Sequence, residues 1–82
     1  MPYLEKTRRS ALDTKLICPD KGGDINYLVT QLCQTFLELK GESYSTYNEL
    51  IGALECCKLE LYRRKIGPYE TLKAQDNGDV WL

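Results

Sequence analysis

The stretch "DINYLVTQLCQTFLELKG", residues 24–41, has the pattern of one amphipathic helix and is the strongest indication of the fold. Its apolar side chains recur at spacings of three and four residues, which places them on one stripe of a helix. They are Ile25, Leu28, Val29, Leu32, Phe36 and Leu39. Asp24 is suited to cap the first turn, and Gly41 is suited to end the helix after Lys40. The sequence predicts a helix over residues 24–40.

A second long helix is predicted over residues 46–66. Thr46 and Glu49 have the spacing of a capping box, in which each side chain satisfies a free amide of the first turn. Seven residues of this segment share one broad face: Tyr47, Leu50, Ile51, Leu54, Cys57, Leu61 and Tyr62. Because the connection between the two long helices is short, we expect them to form an antiparallel hairpin.

The two ends of the chain give weaker signals. A helix is predicted over residues 4–17, before a break at Pro19 and the glycines that follow it. Pro68 is suited to the first position of a short helix over residues 68–75. The tail, residues 76–82, ends in Val80 and Trp81, which we expect to dock on the domain or on a neighbouring subunit. The predicted fold is therefore all-α, with residues 1–82 in a single small domain.

Length, composition and charge exclude several classes of protein. The chain has 82 residues and a net charge of -1, so no overall positive field favours nucleic acid as a partner. No apolar run approaches the ~20 residues of a membrane span, and the N-terminus lacks the apolar core of a signal peptide. Four cysteines without an export signal indicate reduced thiols. We therefore expect a cytoplasmic protein and no membrane partner.

Catalytic and metal chemistry find little support in the sequence. The chain has no histidine, which removes the usual base for a nucleophilic cysteine. No two cysteines have the C-x2-C spacing that is typical of zinc sites; the four are Cys18, Cys33, Cys56 and Cys57. We expect no metal, no cofactor and no enzymatic activity.

A basic cluster with an adjacent tyrosine is the candidate binding site. Arginine binds phosphate or carboxylate through two parallel hydrogen bonds, and tyrosine offers a ring on which a base can stack. The candidate ligand- or partner-binding residues are Tyr62, Arg63, Arg64 and Lys73. Of the two arginines, Arg63 is the expected recognition residue and Arg64 the structural one. The alternative is that these cations only stabilise the C-terminal end of a helix.

A narrower strip lies on the side of the third helix opposite its apolar face. Gly52 would let another backbone approach closely, and Cys56 and Leu59 would fill the contact. With Trp81 of the tail, these residues are the candidate self-association surface. A chain this small has a marginal core of its own, so we expect a homo-oligomer.

Three stretches resemble one family of short proteins. They are "GDINYLVTQL" (23–32), "GALECCKLELYRRKIGPYE" (52–70) and "NGDVW" (77–81). Together they resemble a family of uncharacterised helical proteins of phages, prophages and bacterial metagenomes. The resemblance implies a mobile-element context and carries no activity. If the chain is phage-encoded, the expected compartment is the host cytoplasm.

These observations lead to two functional hypotheses. The first is a non-enzymatic, self-associating binding protein, a phage accessory or anti-defence factor that acts on a host protein. The alternative is a sponge that sequesters a small anionic ligand such as a nucleotide or cyclic nucleotide.

Overall fold

The computed structural model describes residues 4–13 and 17–81 of the chain. The helices are α1 (Lys6–Ala11), α2 (Gly22–Lys40), α3 (Tyr44–Leu61) and α4 (Gly67–Asn77), with a π-helical turn, the π segment (Tyr62–Ile66), between α3 and α4. No strand occurs in the described residues, which confirms the all-α fold class. Two compact units divide the chain near the middle of α3, an N-terminal unit (residues 2–50) and a C-terminal unit (residues 51–82).

The first two helices differ from their predicted bounds. Helix α1 spans six residues instead of 4–17, and residues 14–16 of the predicted helix lie outside the described part. Helix α2 begins at Gly22, so Asp24 occupies its third position and is not the residue that precedes the helix. The Asp24 carboxylate accepts the backbone N–H of Asp20 at 2.9 Å and of Lys21 at 3.1 Å. These two hydrogen bonds lower the pKa of Asp24 and hold the chain entering the helix.

Helix α3 begins at Tyr44, two residues before the predicted start, because Ser43 is its N-cap. The Ser43 hydroxyl accepts the backbone N–H of Thr46 at 3.1 Å, which satisfies one of the free amides of the first turn. The two hydroxyl groups also lie 3.0 Å apart, within hydrogen-bond distance. Gly41, with a φ of +82°, ends α2 in a conformation that a side chain would strain. The turn between α2 and α3 is therefore fixed by Gly41 and Ser43.

Replacing Ser43 with alanine should lower the free energy of unfolding by about 1 kcal/mol, since a serine N-cap contributes on that order. Ser45, the second residue of α3, is the matched control. The substitution Ser45→Ala should change the free energy of unfolding much less. Urea titration of both variants measures the difference. Equal effects of the two substitutions would show that the Ser43 hydroxyl does not cap α3.

The half-buried side of α2 is shifted from the predicted stripe. Leu28, Val29 and Phe36 are half-buried as expected, and Cys33 and Leu37 join them. Leu32 and Leu39, predicted on the same stripe, are 70% and 79% exposed. Regular spacing identified the helix correctly, but it did not identify which of the apolar side chains are covered.

In the C-terminal unit the backbone stays helical from Ile51 to Asn77. The helices predicted over residues 46–66 and 68–75 are joined by the π segment, in which the Gly67 N–H donates to the carbonyl of Tyr62. Pro68 has no N–H, and its ring would crowd the carbonyl four residues earlier in a regular α-helix. A wider turn relieves this crowding and lets the helix continue through the proline.

The π segment also changes which side chains line up. Leu54 and Leu61 are seven residues apart, so they lie about 20° apart around a regular helix. Tyr69 follows Leu61 by eight residues, which would place it about 80° away in a regular helix. Because each residue of a π-helix turns the chain through a smaller angle, Tyr69 moves back toward the line of the two leucines.

The tail after α4 is not docked on the described part of its own chain. Gly78, with a φ of +85°, ends α4, and the Asp79 carboxylate accepts the Trp81 N–H at 2.9 Å. This local turn leaves Val80 90% and Trp81 85% exposed. Docking on a neighbouring subunit stays a prediction.

Two predictions about the fold are not tested by this structure. The antiparallel packing of α2 on α3 stays a prediction because α3 crosses the boundary between the two units. The single-domain organisation also stays a prediction.

Among the residues that the structure describes, no helix is both long and apolar enough to cross a membrane.

Candidate functional site

The basic cluster is organised around one carboxylate, that of Glu60. Arg63, three residues along the helix, donates to the Glu60 Oε1 atom through Nη2, and Arg64 donates to the same oxygen through Nε at 2.6 Å. The Glu60 side chain is 21% exposed, whereas the two arginine side chains are 66% and 58% exposed. One mostly covered acceptor therefore holds two guanidinium groups whose outer faces remain in contact with water.

The tyrosines and lysine near the cluster also have internal partners. Tyr62 donates its hydroxyl to the Glu70 carboxylate at 2.8 Å. The Lys73 ammonium lies 5.6 Å from the centre of the Tyr69 ring, within the range of a cation–π interaction. Lys65 makes no hydrogen bond or ion pair among the described residues. The four predicted site residues thus lie on one helical stretch, but in three separate pairings: the arginines with Glu60, Tyr62 with Glu70, and Lys73 with Tyr69.

The geometry gives no support for separate roles of the two arginines, with Arg63 as the recognition residue and Arg64 as the structural one. Arg64 reaches Glu60 as the sequence suggested, but Arg63 reaches the same carboxylate and is no freer than its neighbour. The sequence does contain a signal for this arrangement. The two arginines follow Glu60 by three and four residues, and side chains at these spacings lie close together on a helix. Whether either arginine recognises a partner stays a prediction.

The residues predicted for self-association are accessible. A side chain built at Gly52 would meet nothing within 4 Å, so the helix itself gives no reason for a glycine there. Leu59 is 57% exposed and Cys56 is half-buried. Cys57, predicted on the core face of α3, is exposed. Trp81 lies apart from these residues on the exposed tail.

Other features of the described residues provide no site for a metal or a polar ligand. No disulfide joins the four cysteines, and residues 4–13 and 17–81 contain no group of three metal-ligating side chains. The N-terminal unit has an open hollow of about 370 Å³ lined by Ile17, Pro19, Leu28 and Leu32. This hollow is apolar and has no converging polar groups that would orient a substrate.

Tyrosine ionisation should report the Tyr62–Glu70 contact. The hydrogen bond to Glu70 and then the charge of that carboxylate raise the pKa of Tyr62 above its usual value of 10.0. The contact should therefore persist at neutral pH and be lost as the pH rises through the raised pKa, when the phenol can no longer donate. The hydrogen bond to Glu42 raises the pKa of Tyr47 in the same direction, so Tyr47 also titrates late. In an ultraviolet absorbance titration, Glu70→Gln should move the contribution of Tyr62 to lower pH and leave that of Tyr47 in place.

Two controls separate this effect from a general change in the protein. Tyr62→Phe should remove the contribution of Tyr62 and leave that of Tyr47, while Tyr27→Phe should leave both late-titrating groups in place. Tyr27 is suited to this purpose because its hydroxyl makes no hydrogen bond among the described residues. An unchanged titration in Glu70→Gln would contradict the contact.

Comparison with known proteins gives a family and no activity. A family model described as Domain of unknown function (DUF6899) matches residues 1–80. No curated protein and no solved structure matches the chain.

Proposed function

We propose that this chain, which belongs to the DUF6899 family of unknown function, is a non-enzymatic binding protein that works as a homo-oligomer. The family match agrees with the expectation of a family without known activity, whereas the phage context is part of the proposal. The observation that carries the proposal is the absence of a buried apolar side chain from residues 4–13 and 17–81. Thr46 is the one buried residue in that part of the chain.

A chain with so few buried apolar side chains has little to offset the conformational entropy that it loses on folding. Ordering one residue costs roughly 1–2 kcal/mol, and buried apolar surface is the main compensation. Full burial of a large apolar side chain contributes about 1.5–3 kcal/mol. Nineteen large apolar side chains of the described residues are at least 36% exposed. Association with further copies would supply the missing burial.

Sedimentation velocity combined with thermal unfolding at several protein concentrations tests the proposal. An obligate homo-oligomer should sediment above the 9.4 kDa of one chain, and its midpoint of unfolding should rise with concentration. A folded protein that sediments as a monomer at high micromolar concentration, with a concentration-independent midpoint, would refute the proposal.

The binding partner that we propose is a host protein, with the chain acting as a phage accessory or anti-defence factor. Support comes from the resemblance to phage and prophage proteins and from the large exposed apolar surface, since contiguous apolar patches mark protein interfaces. Quantitative pull-down from host lysate should recover one partner in a fixed ratio. A variant that keeps the oligomer but loses the partner would separate the two surfaces.

A second candidate function is sequestration of a small anion such as a nucleotide. One observation favours it: Arg63, Arg64, Lys65 and Lys73 outnumber the two carboxylates, Glu60 and Glu70, with which the cluster is paired. The internal ion pairs weigh against it, since a ligand phosphate would compete with Glu60 for both arginines.

Equilibrium dialysis with a panel of mononucleotides and cyclic dinucleotides tests this alternative. Arg64→Gln and Lys73→Gln should each weaken binding, and high salt should weaken it further. Lys40→Gln, at the end of α2, is the matched control for loss of one positive charge. Absence of saturable binding at millimolar ligand would exclude the alternative.

A further inference from the structure

An apolar groove lies in the N-terminal unit, between residues 17–19 and the side of α2 from residue 24 to residue 32. It consists of the hollow of about 370 Å³ beside Leu32 and an adjoining hollow of about 270 Å³. The two hollows share Ile17, Pro19 and Leu28 as lining residues, so we treat them as one site, the α2 groove. Leu32 is 70% exposed and Tyr27 is 65% exposed, so an apolar group that covered these walls would remove much apolar surface from water.

The chemistry of the α2 groove limits what can fill it. Asp24 is the one charged residue among those that line it. Its Oδ2 atom accepts the backbone N–H groups of Asp20 and Lys21, whereas its Oδ1 atom accepts no hydrogen bond from the described part of the chain. An ionised carboxylate accepts hydrogen bonds without donating any, and it repels anions. The groove is therefore suited to an apolar group that carries a hydrogen-bond donor, and it disfavours a phosphate or another acid.

The tail of the chain has a side chain of this kind. The indole of Trp81 combines a large apolar ring with one N–H donor and no acceptor. The Asp79 carboxylate accepts the backbone N–H of Trp81, and this turn leaves Val80 90% and Trp81 85% exposed. A buried tryptophan usually finds a hydrogen-bond partner for its ring N–H. The indole N–H and the Asp24 Oδ1 atom are thus complementary, as are the apolar ring and the apolar walls.

We infer that two copies of this chain exchange tails, with Trp81 of each copy in the α2 groove of the other. The inference rests on the proposed homo-oligomer and names a contact that holds it together. Each copy has one groove and one tail, so two such contacts form around a two-fold axis. The exchange requires no opening of either unit, because the tail and the groove walls are already exposed. In each contact the ring packs on Leu28 and Leu32, and its N–H donates to Asp24.

The area that the exchange buries is a large part of what a stable pair needs. A tryptophan side chain buries about 150–250 Å², and the groove wall that it covers loses a similar area. Two such contacts therefore bury roughly 600–1,000 Å², whereas specific interfaces bury about 1,200–2,000 Å². The remaining area must come from other exposed apolar side chains of the two copies, such as Leu54 and Leu61, which lie in line on α3.

Complementation between two variants tests the exchange. Trp81→Ala removes the ring that enters the groove, whereas Leu32→Asp places a charge in the groove and leaves the tail unchanged. Each variant alone loses both contacts, so its dissociation constant should rise on the order of 10- to 100-fold. In an equimolar mixture the tail of the Leu32→Asp chain still fits the groove of the Trp81→Ala chain. Mixed pairs recover one contact and should therefore form about 3- to 10-fold more tightly than either variant associates alone.

Sedimentation equilibrium of the natural chain, the two variants and their mixture measures these constants. Leu39→Asp is the matched control for Leu32→Asp, because Leu39 lies farther along α2 and does not line the groove. It should associate like the natural chain. Circular dichroism of each variant ensures that association is compared between equally helical proteins.

A disulfide trap locates the contact. Cys18 lines the groove and is exposed, so a thiol introduced into the tail by Val80→Cys should form a disulfide with Cys18 under mild oxidation. We expect two chains joined covalently, with the link identified by mass spectrometry of the peptides. Gln75→Cys places a thiol on an exposed position of α4 outside the tail, and it should react with Cys18 no more than with the other natural thiols.

The outcomes distinguish the exchange from the proposed function. Recovery of association in the mixture, together with the link between Cys18 and the tail of a second chain, supports the exchange. A natural chain that self-associates, but shows neither recovery nor this link, would overturn the exchange and leave the homo-oligomer intact. A link to Cys18 within single chains would also overturn it, because each tail would then fill the groove of its own chain. A monomeric natural chain would instead refute the proposed function itself.

Discussion

Replacing Leu61 with aspartate should raise the dissociation constant of the homo-oligomer by roughly 100- to 10,000-fold. Leu61 is 57% exposed and lies in line with Leu54, near the middle of the helical stretch from Ile51 to Asn77. Burial of a leucine contributes about 1.5–3 kcal/mol, and a symmetric pair loses it twice, which gives about 3–6 kcal/mol. Each tenfold change corresponds to about 1.4 kcal/mol. The measurement is sedimentation equilibrium over a wide concentration range.

Leu39→Asp is the control for Leu61→Asp. Leu39 is on α2, is 79% exposed and bears the same side chain, so the substitution introduces the same charge outside the proposed interface. It should leave the dissociation constant within about threefold of the original, since surface substitutions usually change stability by less than 0.5 kcal/mol. If the two variants associate equally well, Leu61 does not contribute to the interface.

Replacing Pro68 with alanine should make the helix of one chain more stable but the homo-oligomer weaker. Proline inside a helix costs up to about 3 kcal/mol relative to alanine, so its removal should let the π segment return to regular α-helical turns. Tyr69 would then rotate away from the line of Leu54 and Leu61. Thermal melts by circular dichroism at low concentration, together with sedimentation, should show the two effects with opposite signs.

Gly67→Ala separates the effect of the π segment from helix propensity. Gly67 has ordinary helical angles, and a side chain there would lie 3.5 Å from the Tyr62 carbonyl, a normal contact. Alanine at this position should stabilise the helix by up to about 1 kcal/mol without removing the π turn. Association weakened equally in both variants would mean that the π segment does not set the alignment of Tyr69.

The helices themselves could be predicted from sequence, because regular apolar spacing specifies a helix regardless of its surroundings. Their starts could not, because capping depends on which of several polar residues the turn brings into place. Ser43 and Thr46 are both good caps by residue type, and the chain direction after Gly41 selects Ser43. The π segment was missed for a related reason, since Pro68 can either end a helix or widen it.

The residues of the candidate site could be predicted from the sequence, but the arrangement of their side chains could be predicted only in part. Tyr62, Arg63, Arg64 and Lys73 do share one helical stretch, as spacing along a helix requires. The convergence of both arginines on Glu60 depends on side-chain conformations that spacing does not determine. Burial was the least predictable property, because a stripe identifies an apolar face without identifying what covers it.

The tail turn at Asp79 has a spectroscopic consequence. Trp81 is the only tryptophan in the chain, so fluorescence excited at the red edge of the absorption band arises from the tail alone. With its indole 85% exposed, a free chain should emit at long wavelength and be quenched readily by iodide. A shift to shorter wavelength with slower quenching would show a second molecule covering the indole, without any label. The fluorescence of Trp81 in the natural chain can therefore report the binding of a second molecule beside Asp79.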